Sequence, residues 1–189
     1  MSLTGTIQTL KNELLAEKIE PEKGLGTELF LFASTLMPVV NVDLIVINKD
    51  RQILLSWRDD PHTGKGWHIP GSCVRFKECL DAAIQRCAKD ELGTFVQYEK
   101  QPFEVFQFIA NKKRPIDDQR ERAHFITLSY KCHVPDDFRI DNRNKQVTEP
   151  GYLKWFNTLP EDLFQGHECY RTVWERIIGS EDKKLNVEQ

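Results

Sequence analysis

Apolar and β-branched residues fall into short runs along the first half of the chain, and one longer stretch has helical spacing. Two runs, 39–48 and 52–58, flank the letters NKDR, which predicts a β-hairpin. Residues 78–92 repeat apolar side chains every three or four positions and predict a helix, with Gly93 as its C-cap. Between them, GWHIPG predicts a short strand that Pro70 and Gly71 close.

The second half of the chain continues the mixture of strands and helices. Alternating patterns predict three strands in PFEVFQFIAN, RAHFITLSYKCHV and YLKWFN, with a charged loop, KKRPIDDQRER, between the first two. LPEDLF and CYRTVWERIIGS are predicted to be helical. This order predicts an α+β fold, in which helices flank both faces of a mixed β-sheet as an α/β/α sandwich.

The N-terminal region reads as an extension of the main domain. Residues 5–18 have the spacing of an amphipathic helix, and EPEKGLG ends it with Pro21 and two glycines. TELFLFASTLM fits either a helix or a strand. We therefore divide the chain into an extension, 1–34, expected to be helical and to form a dimer contact, and a main domain, 35–189.

Composition narrows the class of protein. The chain has 189 residues and a formal net charge of -3, which argues against a nucleic-acid binder that works by neutralising phosphates. No apolar run reaches the roughly 18 residues that a membrane span requires. The five cysteines form no C-x-x-C pair, and no secretory leader is evident, so free thiols in a cytoplasmic protein are expected.

The predicted helix carries an acid on its apolar side. Glu91 follows Ile84 by seven residues and shares its face, while Asp90 lies on the flank of that face. A carboxylate directed at a core is costly unless it is paired or binds a cation, although a frayed helix end could also let it reach water. Asp and Glu oxygens suit Mg²⁺, and the carbonyl of Gly71 could complete such a site.

The stretch from GWHIPG to Gly93 resembles the Nudix box, which is Gly, five residues, Glu, seven residues, then Arg-Glu-hydrophobic-x-Glu-Glu-x-Gly. The matching positions are Glu78, Arg86, Asp90 and Glu91. Cys87 stands where the box has a further Glu, and Ser72 stands at the opening Gly. The resemblance extends over about 39–156 and implies the Nudix fold and its chemistry.

That resemblance implies a site for Mg²⁺, with Mn²⁺ as a substitute. It makes Glu91, Asp90 and the Gly71 carbonyl metal ligands, and it makes Glu78 and Arg86 an ion pair that holds the loop to the helix. A thiolate is a soft ligand and replaces a carboxylate poorly, so Cys87 implies fewer cations than a full box holds.

The chain also resembles the GDP-mannose mannosyl hydrolase branch of this family, which lacks the same Glu. Members of that branch cleave at the sugar carbon. In that comparison Asp43 and Arg58 are catalytic, and Arg58 binds the substrate diphosphate. A solvent-exposed Arg58 and a structural Asp43 remain open from the residues alone. His124 matches less closely and is a candidate for substrate binding.

The base of that branch is absent, because its His falls on Pro150. Glu149, at the neighbouring ligand position, could serve as base or metal ligand, or could be an ordinary loop acid. We expect a cytoplasmic homodimeric hydrolase of a nucleoside diphosphate derivative, such as GDP-mannose, with no nucleic-acid or membrane partner. The alternatives are a Nudix enzyme that attacks phosphorus and a nucleotide-binding domain without turnover.

Overall fold

The computed structural model describes residues 2–61, 64–109 and 124–179. The predicted charged loop, 112–122, and the residues after 179 lie outside this described part. The helices are α1 (Leu3–Ala16), α2 (Thr27–Ser34), α3 (Leu80–Leu92) and α4 (Trp174–Gly179), with 3-10 turns at Pro21–Lys23 and Gln165–Val173. The strands are β1 (Val39–Val46), β2 (Ile53–Asp60), β3 (Gly64–His68), β4 (Gly71–Cys73), β5 (Gln97–Tyr98), β6 (Glu104–Ile109), β7 (His124–His133) and β8 (Leu153–Phe156).

The strands of the described residues form two sheets. In the five-stranded sheet, β1 lies between β4 and β7 and runs parallel to β7, while β5 and β6 pair with β7 in antiparallel fashion. The smaller sheet is antiparallel, with β2 between β3 and β8. The predicted mixed β-structure is therefore present, as two sheets that meet where β1 passes into β2.

The predicted hairpin is wrong in its pairing, although both of its strands are present. One bridge joins Ile47 to Ile53, and beyond it β1 and β2 enter different sheets. The turn itself is well made, because Asn48 Oδ1 accepts hydrogen bonds from the backbone N–H groups of Asp50 and Gln52. Both strands are buried on both faces, so a hairpin with one solvated face would leave apolar side chains in water.

Alternate side chains of β1 and β2 pack into two different hydrophobic cores, on opposite sides of the sheets. Leu44, Val46 and Leu54 pack in one core with the buried face of α3. Ile45 and Ile53 pack in the other with residues of the C-terminal segment, including Leu159, Leu163, Tyr170, Val173 and Ile177. This arrangement confirms the layered α+β fold with helical structure on both faces.

Helix α3 confirms the predicted helix apart from its first turn. It starts at Leu80, with Cys79 as an N-cap that makes no side-chain hydrogen bond. It ends at Gly93, whose left-handed backbone (φ 75°) lets its N–H donate to the carbonyl of Lys89. The buried face comprises Ala83, Ile84, Cys87, Ala88 and Leu92.

The predicted helix at LPEDLF is wrong, because this segment pairs with β3 instead. Trp67 N–H donates to the carbonyl of Asp162, and Phe164 N–H donates back to the carbonyl of Trp67. The approach requires a glycine at 66, since a Cβ there would lie 2.7 Å from the Asp162 oxygen. The following segment begins as a 3-10 turn and becomes α-helical only at Trp174.

The N-terminal helix is present where it was expected, but it stands apart from the core. No residue of α1 is buried, and Leu3 and Leu15 are 77% and 78% exposed. Neither α1 nor any other helix of the described ranges has the length and apolar character that crossing a membrane requires.

Candidate functional site

Arg58, near the end of β2, stands between two neighbouring pockets. The carboxylate pocket is lined by Asp59, Asp60, Asp90, Glu91, Lys145 and Gly151, together with residues that include Arg58 and His68. The aromatic pocket is lined by Asn41, Asp43, Phe108, Phe125, Phe164 and His167, and it includes Arg58 and His68 as well. The carboxylate pocket holds about 380 Å³ and the aromatic pocket about 90 Å³, so the former has room for a ligand group.

The guanidinium of Arg58 is held without being neutralised. Its Cζ lies 5.4 Å from the centre of the Phe164 ring. The backbone of the preceding residue, Trp57, is anchored on both sides, since Trp57 N–H donates to Tyr152 and Gly151 N–H donates to Trp57. Arg58 forms no ion pair within the described part of the chain, which leaves its donors available to an anion.

Glu91 points into the carboxylate pocket from the last turn of α3. Its side chain is 29% exposed, and Oε2 lies 3.9 Å from Nε2 of His68. Burial raises the pKa of Glu91, with Asp90 adding to the rise, while the charges of Arg58 and Lys145 oppose it. The sequence placed this acid on the inner side of the helix, and the structure puts it beside Arg58 at the pocket wall.

Asp90 lines the same pocket but is more open to water. Its side chain is 60% exposed, and Oδ2 lies 3.8 Å from Nη1 of Arg86. Glu91 and Asp90 thus offer two carboxylates of unequal burial at one wall of the pocket.

Glu78 and Arg86 form the ion pair that the Nudix resemblance implies. Arg86 Nε donates to Glu78 Oε1 at 2.7 Å and Nη2 donates to Oε2 at 2.9 Å. Arg86 also donates to Ser72 Oγ and to the carbonyl of Cys73. This pairing lowers the pKa of Glu78, mainly through the hydrogen bonds from Arg86. The contacts tie β4 and the following loop to α3.

Gly71, at the start of β4, lies directly against Asp43 of β1. The two residues are paired in the sheet, and a Cβ on Gly71 would lie 2.2 Å from Asp43 Oδ1. A side chain at 71 is therefore excluded by the carboxylate of Asp43. Gly71 and Asp43 both line the aromatic pocket, as does Arg58.

Asp43 is a buried acid held by a hydrogen-bond chain. The hydroxyl of Tyr170 donates to Asp43 Oδ2 at 2.7 Å and must therefore accept from Ser129 Oγ, which lies 2.5 Å away. Asp43 is only 3% exposed. Burial raises its pKa to about 7, against the opposing effects of Tyr170 and Arg58. An acid that titrates near neutral pH within a pocket is characteristic of functional sites.

His167 is a neutral neighbour of this acid with a defined tautomer. Ile69 N–H donates to Nδ1 at 2.9 Å, so the ring proton resides on Nε2, which lies 3.5 Å from Asp43 Oδ2. Burial, together with the charge of Arg58, lowers the pKa of His167 to about 3. His167 therefore presents an N–H group toward Asp43.

Several buried polar atoms near Arg58 lack hydrogen-bond partners among the described residues. They are Asn41 Oδ1, Ser56 Oγ, Trp57 Nε1 and both ring nitrogens of His68. Each of these residues lines one of the two pockets. Because an unpaired buried polar atom costs about 1–3 kcal/mol, their gathering at one place favours a polar ligand there.

Two predicted site residues lie outside both pockets. Glu149 is exposed, and while the next two residues, Pro150 and Gly151, line the carboxylate pocket, Glu149 does not. His124, at the start of β7, has its Nε2 3.0 Å from the side-chain amide of Gln107. Their roles stay predictions, and the structure does not bring either residue to Arg58.

Cys87 is removed from the pockets altogether. It is fully buried in the core beneath α3, and burial, followed by Glu91 and Asp43, raises the pKa of its thiol well above the ordinary value. A neutral buried thiol supplies no ligand to a hard cation.

The donor set at the pocket wall fits Mg²⁺ better than a cation that needs a full protein cage. In the described ranges, no three or more His, Cys, Asp or Glu side chains are arranged so that they alone could hold a metal ion. Mg²⁺ commonly binds one or two carboxylates and completes its shell with waters and substrate phosphates. Glu91 and Asp90 meet this requirement.

Sequence reasoning missed three residues of this site: Tyr170, His167 and Lys145. The sequence predicts Tyr170 only as part of the helix CYRTVWERIIGS, and it does not single out the other two. The only local signal is the His-x-x-Tyr spacing in the C-terminal segment, which places two polar rings on one side of a helical turn.

Comparison with known proteins shows which family and which folds this chain is similar to. The model of the NUDIX domain family matches residues 37–165. The Low-salt glycan biosynthesis protein Agl8 of Haloferax volcanii is 31% identical over 121 residues, which are 61% of this chain and 74% of that protein.

Two solved structures share the fold at low sequence identity. One is a possible asymmetric diadenosine tetraphosphate (Ap4A) hydrolase from Jonesia denitrificans, with a TM-score of 0.56 at 20% identity over 76% of this chain and 96% of that one. The other is a MutT NUDIX hydrolase from Burkholderia pseudomallei, with a TM-score of 0.51 at 24% identity over 74% of this chain and 97% of that one.

Proposed function

Because the chain belongs to the NUDIX domain family, we propose that it is a Mg²⁺-dependent hydrolase of a nucleoside diphosphate derivative, most similar to the GDP-mannose mannosyl hydrolases. The observation that carries this proposal is the meeting of Arg58 and Glu91 at one pocket bordered by unpaired buried polar atoms. A guanidinium and a carboxylate that could hold Mg²⁺ on the same pocket suit a diphosphate, because its oxygens bind both the guanidinium and the metal ion.

The substrate is proposed to be a nucleotide sugar, such as GDP-mannose. The Agl8 relative is named for glycan biosynthesis, which favours a sugar among the groups that a nucleoside diphosphate can carry. Glu91, Asp90 and the Gly71 carbonyl would hold Mg²⁺, which when bound supplies electrostatic stabilisation to the diphosphate oxygens.

Arg58 binds the diphosphate and stabilises the negative charge that develops on it. The oxygen of a water molecule forms a bond to the sugar carbon as the bond from that carbon to the diphosphate oxygen breaks. The products are the nucleoside diphosphate, which keeps the electron pair, and the free sugar.

The water must lose a proton to a carboxylate, and we assign that role to Asp43. Asp43 lines the aromatic pocket together with Arg58, and Tyr170 fixes its orientation. Glu149, the other candidate, is exposed outside both pockets. D43N and E149Q separate the two, because only the variant of the true acceptor should lose turnover at saturating substrate.

Turnover of nucleotide sugars in ¹⁸O-labelled water, with and without Mg²⁺, tests the proposal. Attack at carbon places the label in the sugar, whereas attack at phosphorus, the alternative reaction, places it in a phosphate. Absence of turnover across nucleotide sugars and dinucleotides would instead favour a nucleotide-binding domain.

We also propose a homodimer in which α1 contributes to the contact. The support is the exposure of its apolar residues, including Leu3, Ile7 and Leu15. Sedimentation at micromolar concentration that shows only a monomer would contradict this.

A further inference from the structure

The carboxylate pocket has to accommodate an anionic substrate although its own wall is acidic. Asp59, Asp60, Asp90 and Glu91 all line it, and the buried thiol of Cys87 recruits no additional cation. A diphosphate brought to this wall needs positive charge from the protein as well as from Mg²⁺. Arg58 supplies one such charge.

Lys145 is a second cation on this pocket. Its Nζ lies 2.6 Å from the position that a Cβ on Gly151 would occupy, so the absence of a side chain at 151 makes room for the ammonium group. Gly151 has a φ of 80°, a backbone conformation that itself favours glycine. The Nζ group has no hydrogen bond or ion pair to the described residues, and all three of its donors are available.

The loop that carries Lys145 is fixed to the scaffold at its base. Asn142 donates through Nδ2 to the carbonyl of Leu153 and accepts from Leu153 N–H through Oδ1, at 2.9 and 2.8 Å. Lys145 N–H donates to the carbonyl of Asn142, and Gly151 N–H donates to Trp57, the residue before Arg58. These contacts hold Lys145 and Arg58 on the same pocket.

We propose that Lys145 binds the diphosphate of the substrate, as a point charge that acts beside Arg58. This inference rests on the proposed function and deepens it, since the ligand class is the same. Lysine presents a compact charge with three donors on a flexible stem, which suits an ionic oxygen that shifts during bond cleavage.

The rival role for Lys145 is to hold its loop or to organise Glu91, and the two roles predict different effects on the binding of Mg²⁺. A residue that binds diphosphate attracts the anion and repels Mg²⁺. Its removal should weaken anion binding and tighten the binding of Mg²⁺ alone. A residue needed to hold the loop or to organise Glu91 would weaken both when removed.

Calorimetric titration of the full chain with inorganic pyrophosphate in saturating Mg²⁺, and separately with Mg²⁺ alone, distinguishes these roles. For K145M we expect pyrophosphate affinity to fall about tenfold or more and Mg²⁺ affinity to rise. K145R should restore pyrophosphate affinity to within about threefold. G151A, whose methyl group would lie 2.6 Å from Nζ and displace it, should weaken pyrophosphate binding without removing the charge.

K154M is the matched control, because Lys154 is exposed on β8 and its Nζ lies over the ring of Phe156 rather than on the pocket. Both of its affinities should stay within about twofold of the parent chain. Unchanged pyrophosphate binding in K145M, or a parallel loss of pyrophosphate and Mg²⁺ binding, would overturn the proposal. Because binding is measured without turnover, failure of the nucleotide-sugar screen leaves this result interpretable.

Discussion

The hydroxyl of Tyr170 donates a 2.7 Å hydrogen bond to Oδ2 of Asp43, across 127 residues of sequence. The contact joins the C-terminal 3-10 segment to the central strand β1. It also joins the second hydrophobic core to the aromatic pocket, because Tyr170 belongs to that core and Asp43 lines the pocket. Folding of the C-terminal segment and the state of Asp43 are therefore coupled.

Replacing Tyr170 with Phe should destabilise the protein by about 1–3 kcal/mol, because Asp43 and Ser129 both lose a buried partner. The loss should be larger at pH 8 than at pH 5.5, since Tyr170 favours the ionised form of Asp43. Urea unfolding at the two pH values measures this. Y152F is the control, because Tyr152 is half-buried and its hydroxyl has no hydrogen bond to the described residues.

The raised pKa of Asp43 should make stability fall with pH. Burial raises this pKa from 3.8 to about 7, so between these values the folded chain keeps a proton that the unfolded chain has lost. Stability is then greatest below the lower value and declines as pH rises through about 7.

D43N should remove this decline. At pH 8 its free energy of unfolding, measured in urea, should exceed that of the parent chain by up to about 4 kcal/mol. D59N changes an exposed Asp of the neighbouring strand β2 and should retain the decline. A parent chain whose stability is constant between pH 5 and 8 would show that Asp43 is not the titrating group.

E91Q should abolish Mg²⁺ binding. It should therefore lower Mg²⁺-dependent turnover by about a hundredfold or more. Without Mg²⁺ the variant should be at least as stable as the parent chain, because burial raises the pKa of Glu91 and its charge is costly. Calorimetry with Mg²⁺ and urea unfolding measure the two effects. E175Q, which changes an exposed residue of α4, should change neither, and activity retained in E91Q would refute the metal assignment.

Local patterns were sufficient to predict those features that depend on spacing. The period of α3 placed Glu91 on its inner side, and the box spacing anticipated the Glu78–Arg86 ion pair that the structure contains. Gly93 ends the helix as expected, because a left-handed C-cap depends on one residue and its own backbone.

Features that depend on distant partners could not be predicted in this way. The predicted hairpin is wrong because β1 pairs with β7 rather than with its neighbour β2. The residues of β7 lie more than 80 positions away along the chain. LPEDLF has helical propensity, but pairing with Trp67 outweighed it. The His-x-x-Tyr spacing places His167 and Tyr170 together, but nothing in the local sequence indicates that both contact Asp43.

Cys87 allows a test of whether the Nudix box can be restored by one substitution. The residue is 0% exposed and packs in the core with Ala83, Ile84 and Ala88, rather than facing the carboxylate pocket. A Glu at this position would have to bury an unpaired carboxylate or displace α3 to reach the pocket.

We therefore expect C87E to destabilise the protein by about 3–5 kcal/mol without adding a Mg²⁺ site. C87A, which keeps the position small and apolar, should cost only about 1 kcal/mol. Urea unfolding and the calorimetric stoichiometry of Mg²⁺ measure both effects. A stable C87E that binds an additional Mg²⁺ would show that α3 can rotate this position into the pocket, and the restricted cation number would then be a property of the side chain alone. If C87E loses stability as expected, the core packing beneath α3 is what limits the site.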